Sequence, residues 1–210
     1  MINILIVDDH AIVRDGLNHL LKSEKDMRVS GMAVDAVSAM RFLTETSVDV
    51  IILDISMPGK SGLDLIKDLK QMQSTARILI LSMYPEDRFA MRAVIAGASG
   101  YLTKEMASEE IVTAIRTINS GRNYITSSLA DKIADELQHP GAKVPHDLLS
   151  DREFEVFCML ASGKSIVEIS SALSISESTV STYRTRILQK MNLKTNSDIM
   201  HYGIVNGLVD

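Results

Sequence analysis

Val48-Asp49-Val50-Ile51-Ile52-Leu53-Asp54 is an apolar run that ends on a carboxylate. It is too short for a helix and rich in β-branched residues, so it reads as a strand buried on both faces, the habit of a parallel sheet. Three further runs share its form. Residues 2–7 lead into Asp8-Asp9, residues 78–81 into Ser82, and residues 101–103 into Lys104. The carboxyl ends of the strands in an open parallel sheet line one crevice, where ligands bind. The pattern therefore brings three carboxylates, a hydroxyl and an ammonium to one place.

Working outward, residues 1 to about 122 alternate strand and helix. Strands are expected at 2–7, 28–33, 48–53, 77–81 and 100–103, and helices at 10–22, 35–46, 62–71, 86–97 and 107–120. Five such units make a doubly wound α/β domain with right-handed crossovers and helices on both faces. Ser108 is expected to cap the last of these helices and Gly121 to end it. A helix follows over 126–138. Then His139-Pro140-Gly141-Ala142-Lys143-Val144-Pro145-His146-Asp147 holds two prolines and a glycine, which marks a linker in which no helix is expected. Residues 148–210 carry no strand signal. Helices fit at 150–162, 165–173, 177–191 and 195–207, the first with a capping box from Ser150 to Glu153. The tight Leu173-Ser174-Ile175-Ser176 joint suggests a helix-turn-helix.

Composition narrows the classes. The 210 residues are 46% hydrophobic and 23% charged with a net charge of −5, as in an ordinary soluble protein without a global basic field. A single cysteine, Cys158, excludes an internal disulfide and sits in an apolar helical stretch that reads as core. No apolar run approaches the roughly 20 residues needed to span a bilayer. The start of the chain lacks a basic n-region, so no membrane partner and a cytoplasmic location are expected. Tryptophan is absent and aromatics are few, against a stacking platform for single strands.

Asp8, Asp9 and Asp54 crowded together repel one another, and a hard divalent ion resolves the conflict. Mg²⁺ prefers one or two carboxylates with water and a phosphate oxygen. Asp54 is the best nucleophile for an aspartyl phosphate. Lys104 offers a point charge for a phosphoryl oxygen and Ser82 a hydroxyl donor. Pro58 and Gly59 turn the chain just after Asp54, leaving a main-chain carbonyl for the metal. Phosphatases of the haloacid-dehalogenase type share an Asp nucleophile, Mg²⁺ and a Lys, but place a general acid two residues after the nucleophile. Ser56 stands there, so an enzyme is not expected.

These residues carry a resemblance. Leu5-Ile6-Val7-Asp8-Asp9-His10, Val50-Ile51-Ile52-Leu53-Asp54-Ile55-Ser56-Met57-Pro58-Gly59, Ile80-Leu81-Ser82 and Gly97-Ala98-Ser99-Gly100-Tyr101-Leu102-Thr103-Lys104 make residues 1–122 similar to the receiver domain of two-component response regulators, a flavodoxin/CheY-like fold. The resemblance implies that Asp54 is phosphorylated by a sensor histidine kinase. It also implies Mg²⁺ bound by Asp9, Asp54 and the Ser56 carbonyl, with Asp8 assisting and Lys104 on the phosphoryl group. Ser82 and Tyr101 match the family's switch pair: Ser82 turns toward the phosphoryl group and Tyr101, on its own also readable as a half-buried core aromatic, fills the space left behind.

The helix at 177–191 places Val180, Ile187 and Met191 on one face and Ser178, Ser181, Thr182, Thr185 and Gln189 on the other. Such an outer face suits the major groove, with Arg184, Arg186, Lys190 and Lys194 reaching phosphates. Residues 148–210 hold six Lys/Arg and seven Asp/Glu, yet these four cations fall within eleven residues free of acid. Leu149-Ser150-Asp151-Arg152-Glu153, Leu160-Ala161-Ser162-Gly163-Lys164-Ser165, Glu168-Ile169, Leu173-Ser174-Ile175-Ser176, Thr179-Val180 and Lys190-Met191 resemble the LuxR-type helix-turn-helix. That implies a smaller all-α tetrahelical domain over 148–210, joined to the receiver by a helical linker over 123–147, with base contacts at Ser181, Thr182 and Thr185. The whole resembles a NarL/FixJ-type regulator that binds double-stranded DNA and forms a homodimer on phosphorylation, with Ile199, Met200, Ile204 and Val205 on its dimer helix. The sequence departs from that family at Ser181 and Tyr183, where Lys and His are common, and at Ile166-Val167, where Asn-Lys is common. The alternative is a receiver protein that acts through protein contacts without sequence-specific DNA binding.

Overall fold

The computed structural model describes residues 1–138 and 144–209, and they divide into two compact units, Met1–Asp135 and Glu136–Asp210. The first alternates β1 (Ile2–Val7), α1 (Ala11–Leu21), β2 (Met27–Ala33), α2 (Ala36–Glu45), β3 (Val50–Leu53), α3 (Gly62–Gln71), β4 (Arg77–Ser82), α4 (Glu86–Ala96), β5 (Gly100–Thr103) and α5 (Ala107–Asn119). The five strands are parallel in the order β2-β1-β3-β4-β5. Ile4, Ile6, Val50, Ile52, Leu79 and Leu81 pack with Leu17 and Leu21 of α1 and Ile111, Ile115 and Ile118 of α5. The alternate residues Leu5, Val7, Ile51, Leu53 and Ile80 point to the opposite face and are equally buried, which explains the unbroken apolar runs.

Strand order reverses between β1 and β3, so their ends open a crevice. Val7 pairs with Leu53 and Leu53 with Ile80. The ladder extends past the strands, with Asp54 N donating to Val7 O (2.9 Å) and Lys104 N to Ser82 O (2.8 Å). The segment after Asp54 turns tightly under α3. Gly59 has φ +74°, and a Cβ on Gly62 would stand 2.1 Å from the Asp54 carbonyl oxygen.

The chain next forms α6 (Ser127–Gln138), a 3-10 turn (Pro145–Leu148), α7 (Asp151–Ala161), α8 (Ile166–Leu173), α9 (Glu177–Lys190) and α10 (Asn196–Val205). In the second unit α7 packs against α8, α9 and α10. Its core is Phe154, Phe157, Leu160, Ile169, Leu173, Val180, Ile187 and Ile199, all buried. Ser174 takes a left-handed conformation (φ 50°, ψ 44°), ending α8. Ser176 then accepts from Thr179 N to start α9. Two short polar residues thus make the helix-turn-helix joint. Arg152 and Glu155 form a buried ion pair at 2.6 Å within α7. Cys158 is buried. Among the described residues no helix is long and apolar enough to cross a membrane.

Two local expectations are corrected. Ser108 does not cap α5: the cap position is Met106, without a side-chain bond, because a turn closed by Met106 N on Thr103 O delivers the chain directly into the helix. The proline-rich linker is not devoid of helix, since Pro145 opens the 3-10 turn, its fixed φ suiting a first helical position. The rest of that segment, 139–143, lies outside the described residues.

The close approach at Gly62 has a measurable consequence. Gly62→Ala should lower the stability to urea by roughly 2–3 kcal/mol through overpacking against main chain. Gly59→Ala, with open space around it, should cost only about 1 kcal/mol of backbone strain.

Candidate functional site

At the crevice, Lys104 Nζ lies 2.6 Å from Asp54 Oδ2 and 2.7 Å from Asp8 Oδ2. All three side chains are nearly shut off from solvent. Each is positioned by a strand end: Asp8 after β1, Asp54 after β3 and Lys104 after β5. Asp9, half-buried, completes the group, and ligand atoms of Asp8, Asp9, His10 and Asp54 all lie within 4.8 Å of one another. Ser56 N donates to Asp54 Oδ1 at 3.2 Å.

Burial pushes the Asp54 carboxyl up to about 6, against the pull of Lys104 and with the help of the Asp8 charge. The same burial works against the Lys104 ammonium, but Asp54 and Asp8 outweigh it and hold the group above the usual lysine value. Asp8 Oδ2 and Asp9 Oδ1 are buried atoms with a charged neighbour yet no aligned hydrogen-bond donor. Clustered carboxylate oxygens that lack an aligned donor are what a hard cation takes. The residues therefore fit Mg²⁺.

Ser82 is buried and its Oγ accepts from Tyr84 N at 3.1 Å. Tyr101 is only 4% exposed rather than half-buried, and its hydroxyl donates to Tyr84 O at 2.8 Å. The ring is thus inward in this structure. Tyr84, stacked on Phe89 (centroids 4.4 Å apart), supplies the carbonyl that holds the ring there.

In the second unit, Val180, Ile187 and Met191 pack inward, while Ser178, Ser181, Thr182, Thr185 and Gln189 lie on the exposed face of α9. Thr182 and Thr185 donate their hydroxyls to Ser178 O and Ser181 O within the helix. The basic residues are not equivalent. Lys190 Nζ sits 2.6 Å from the buried Glu153 carboxylate. Burial works to raise Glu153, but Lys190 and the Ser150 bonds hold it below the usual glutamate range. Arg184 Nε donates to Asn196 Oδ1 at 2.6 Å, tying α9 to the start of α10. Arg186 and Lys194 are exposed. On α10, Ile199 is buried, whereas Met200, Ile204 and Val205 are exposed.

Two residues at the crevice escaped sequence reasoning. His10 donates its main-chain N–H to Asp8 Oδ1 (2.8 Å) and places Nδ1 2.8 Å from Asp9 Oδ1. Its signal was adjacency to the Asp8-Asp9 pair. Arg14 Nη1 donates to Asp8 O at 2.6 Å. It sits on α1, one turn beyond His10, and nothing in the sequence singles it out.

Comparison with known proteins agrees with both units. Residues 4–116 match the response regulator receiver domain, and residues 147–202 match the bacterial regulatory proteins of the luxR family. Response regulator UvrY of Escherichia coli strain K12 is 35% identical over 99% of this chain and 96% of its own length. Transcriptional regulatory protein LiaR of Bacillus subtilis strain 168 is 35% identical over the full length of both. The crystal structure of a LuxR-family two-component response regulator from Aurantimonas sp. SI85-9A1 superimposes with TM-score 0.59 at 37% identity, covering 66% of this chain and 99% of that one. With an acidic crevice in one unit and a helix-turn-helix in the other, the chain belongs to the two-component response regulators of the NarL/FixJ type, regulators of transcription that join a receiver to a LuxR-type DNA-binding domain.

Proposed function

We propose that a sensor histidine kinase passes a phosphoryl group to Asp54, and that the resulting acyl phosphate controls homodimerisation and the binding of double-stranded DNA. The observation that carries this reading is the Lys104 ammonium poised between Asp8 and Asp54 beside Asp9, at three strand ends. An Asp54 oxygen attacks phosphorus in line, the phosphorus–nitrogen bond of the donor phosphohistidine breaks, and the imidazole leaves with the electron pair and takes up a proton. Lys104 is placed to stay on the phosphoryl oxygens as Asp54 becomes an acyl phosphate, so its charge is never stranded. Asp9, Asp54 and the Ser56 carbonyl would hold Mg²⁺, with Asp8 assisting through water. Once bound there, the ion supplies charge neutralisation for the transferred oxygens. Ser56, which cannot act as a general acid, leaves the product to persist, so Asp54 works as an acceptor and not as a turnover catalyst.

Ser82 and Tyr101 read the modification. The Ser82 hydroxyl swings to donate to the phosphoryl group, which draws its oxygen away from Tyr84 N, and the β4–α4 loop adjusts around Tyr101. The exposed apolar face of α10, Met200 with Ile204 and Val205, supplies the dimer contact. Two copies of α9 then enter successive major grooves of paired half-sites. Ser178, Ser181, Thr182 and Thr185 face base edges, and Arg186 reaches phosphate. Arg184 and Lys190 act chiefly by holding α9 to α10 and to Glu153. A DNA target places the protein in the cytoplasm.

The internal ties of Arg184 and Lys190, together with exposed Val167 at the start of α8, favour a second reading, in which the helical unit acts through protein contacts. Gel shifts at several salt concentrations separate the two. Under the DNA reading, Arg186→Ala weakens binding to all sequences alike and lowers the salt slope by about 1. Lys190→Ala instead costs about 1–2 kcal/mol of stability by stranding Glu153. No shift of any genomic fragment, phosphorylated or not, favours protein contacts.

The phosphoacceptor assignment is tested with acetyl phosphate. The wild-type chain should gain one phosphoryl group by intact mass only when Mg²⁺ is present, and Asp54→Asn should gain none. Full labelling of Asp54→Asn would sink the assignment.

A further inference from the structure

The segment after α5 does not leave the first unit at once. Tyr124 N donates to Ser99 O at 2.9 Å, and Tyr101 N donates to Tyr124 O at 3.1 Å. Tyr124 thus forms a parallel bridge with Gly100, a one-residue sixth strand on the outer edge of β5. Gly100 permits the approach, since a Cβ there would stand 3.0 Å from Tyr124 O and 3.1 Å from its Cβ. The Tyr124 ring packs against the core, and its hydroxyl donates to Glu110 Oε2 on α5 at 2.5 Å. Two residues on, Thr126 gives both its N–H (3.3 Å) and its hydroxyl (2.8 Å) to Glu86 Oε1, while its Oγ1 accepts from Leu129 N to start α6. Leu129 is buried, lining a cavity with Pro85 and Met91. Residues 124–129 are therefore fastened to β5, α5 and α4.

Those fastenings meet the residues assigned above to the switch. Tyr101 is bonded to the segment through its N–H and to Tyr84 through its hydroxyl. Tyr84 N is bonded to Ser82 Oγ. Glu86, which holds Thr126, lies two residues beyond Tyr84 at the first position of α4. In this conformation the Tyr101 ring is inward and held by the Tyr84 carbonyl. A Ser82 side chain drawn toward the crevice stretches its bond from Tyr84 N, and Glu86, two residues on, is one of the residues that hold the segment.

We propose that residues 124–129 are a strap clipped over the β5 edge and the start of α4, and that phosphorylation of Asp54 unfastens it by drawing Ser82 away from Tyr84, so that the strap carries the signal into α6. The proposal rests on the phosphoacceptor reading of Asp54. A strap held by a few main-chain and side-chain bonds belongs to the low-stability end of local opening, where a small rearrangement changes its population strongly.

Hydrogen–deuterium exchange on the full chain, with and without beryllofluoride and Mg²⁺, tests it. The amides of Tyr124, Thr126 and Leu129 should exchange about tenfold faster with beryllofluoride, while those of β1 and β3 stay protected. Glu86→Ala and Thr126→Val should each speed the same amides without beryllofluoride. Unchanged strap amides alongside altered exchange at Ser82–Tyr84 would overturn the strap and leave the phosphoacceptor reading standing. No response at Ser82–Tyr84 or anywhere in the crevice would overturn that reading, and the strap with it.

Discussion

The first unit depends on one ammonium between two buried carboxylates. Ligand atoms of Asp8 and Asp54 within 4.8 Å of one another repel by at least about 3.5 kcal/mol at an effective dielectric of 20. Lys104, at little more than half that distance from each, attracts both and more than offsets the repulsion. With Asp9 added, three carboxylates face one ammonium, so the fully ionised group carries a formal −2. That is why burial holds Asp54 at about 6, and why a divalent cation followed by a phosphoryl group suits the crevice electrostatically. The sheet makes the arrangement affordable. Each fully buried Ile or Leu beneath it contributes about 1.5–3 kcal/mol, and β1, β3 and β4 are built almost wholly of such residues.

Much of this was legible because the apolar runs and the chemical residues are consecutive. A strand buried on both faces is unbroken in sequence, and the residue at its carboxyl end faces the crevice whatever its type. Asp8, Asp54, Ser82 and Lys104 could thus be placed without side-chain geometry, and strand ends fell within a residue or two of their expected positions. Local capping was less legible. Ser150 caps as its spacing suggests, but Ser108 does not, because the preceding turn rather than propensity decides where α5 begins. Illegible were features set by chain brought in from elsewhere, the Tyr84 carbonyl that captures Tyr101 and the Tyr124 bridge beside β5, and the reach of the Arg14 side chain back over the Asp8 carbonyl.

The helical unit shows the same division. Its periodicity and the polar outer face of α9 could be read directly, but which cations face outward could not. Lys190 and Arg184 share a helix with Arg186 and look alike in sequence. A buried glutamate on α7 and an asparagine at the start of α10 claim the first two. Charge counting overstates the basic surface of such a domain, since part of the positive charge is spent on neutralising Glu153, which burial alone would push toward protonation. Arg186 is left as the exposed cation of α9 without such a claim on it, among exposed hydroxyl-bearing residues.

The account stands or falls on where the phosphoryl group goes. Borohydride reduction of chain treated with acetyl phosphate, followed by peptide mass mapping, converts an aspartyl phosphate to homoserine at its own position. The account predicts homoserine at position 54 alone, lost when Mg²⁺ is withheld. Homoserine at position 8 or 9, or none at all from chain that has gained phosphate, would contradict it.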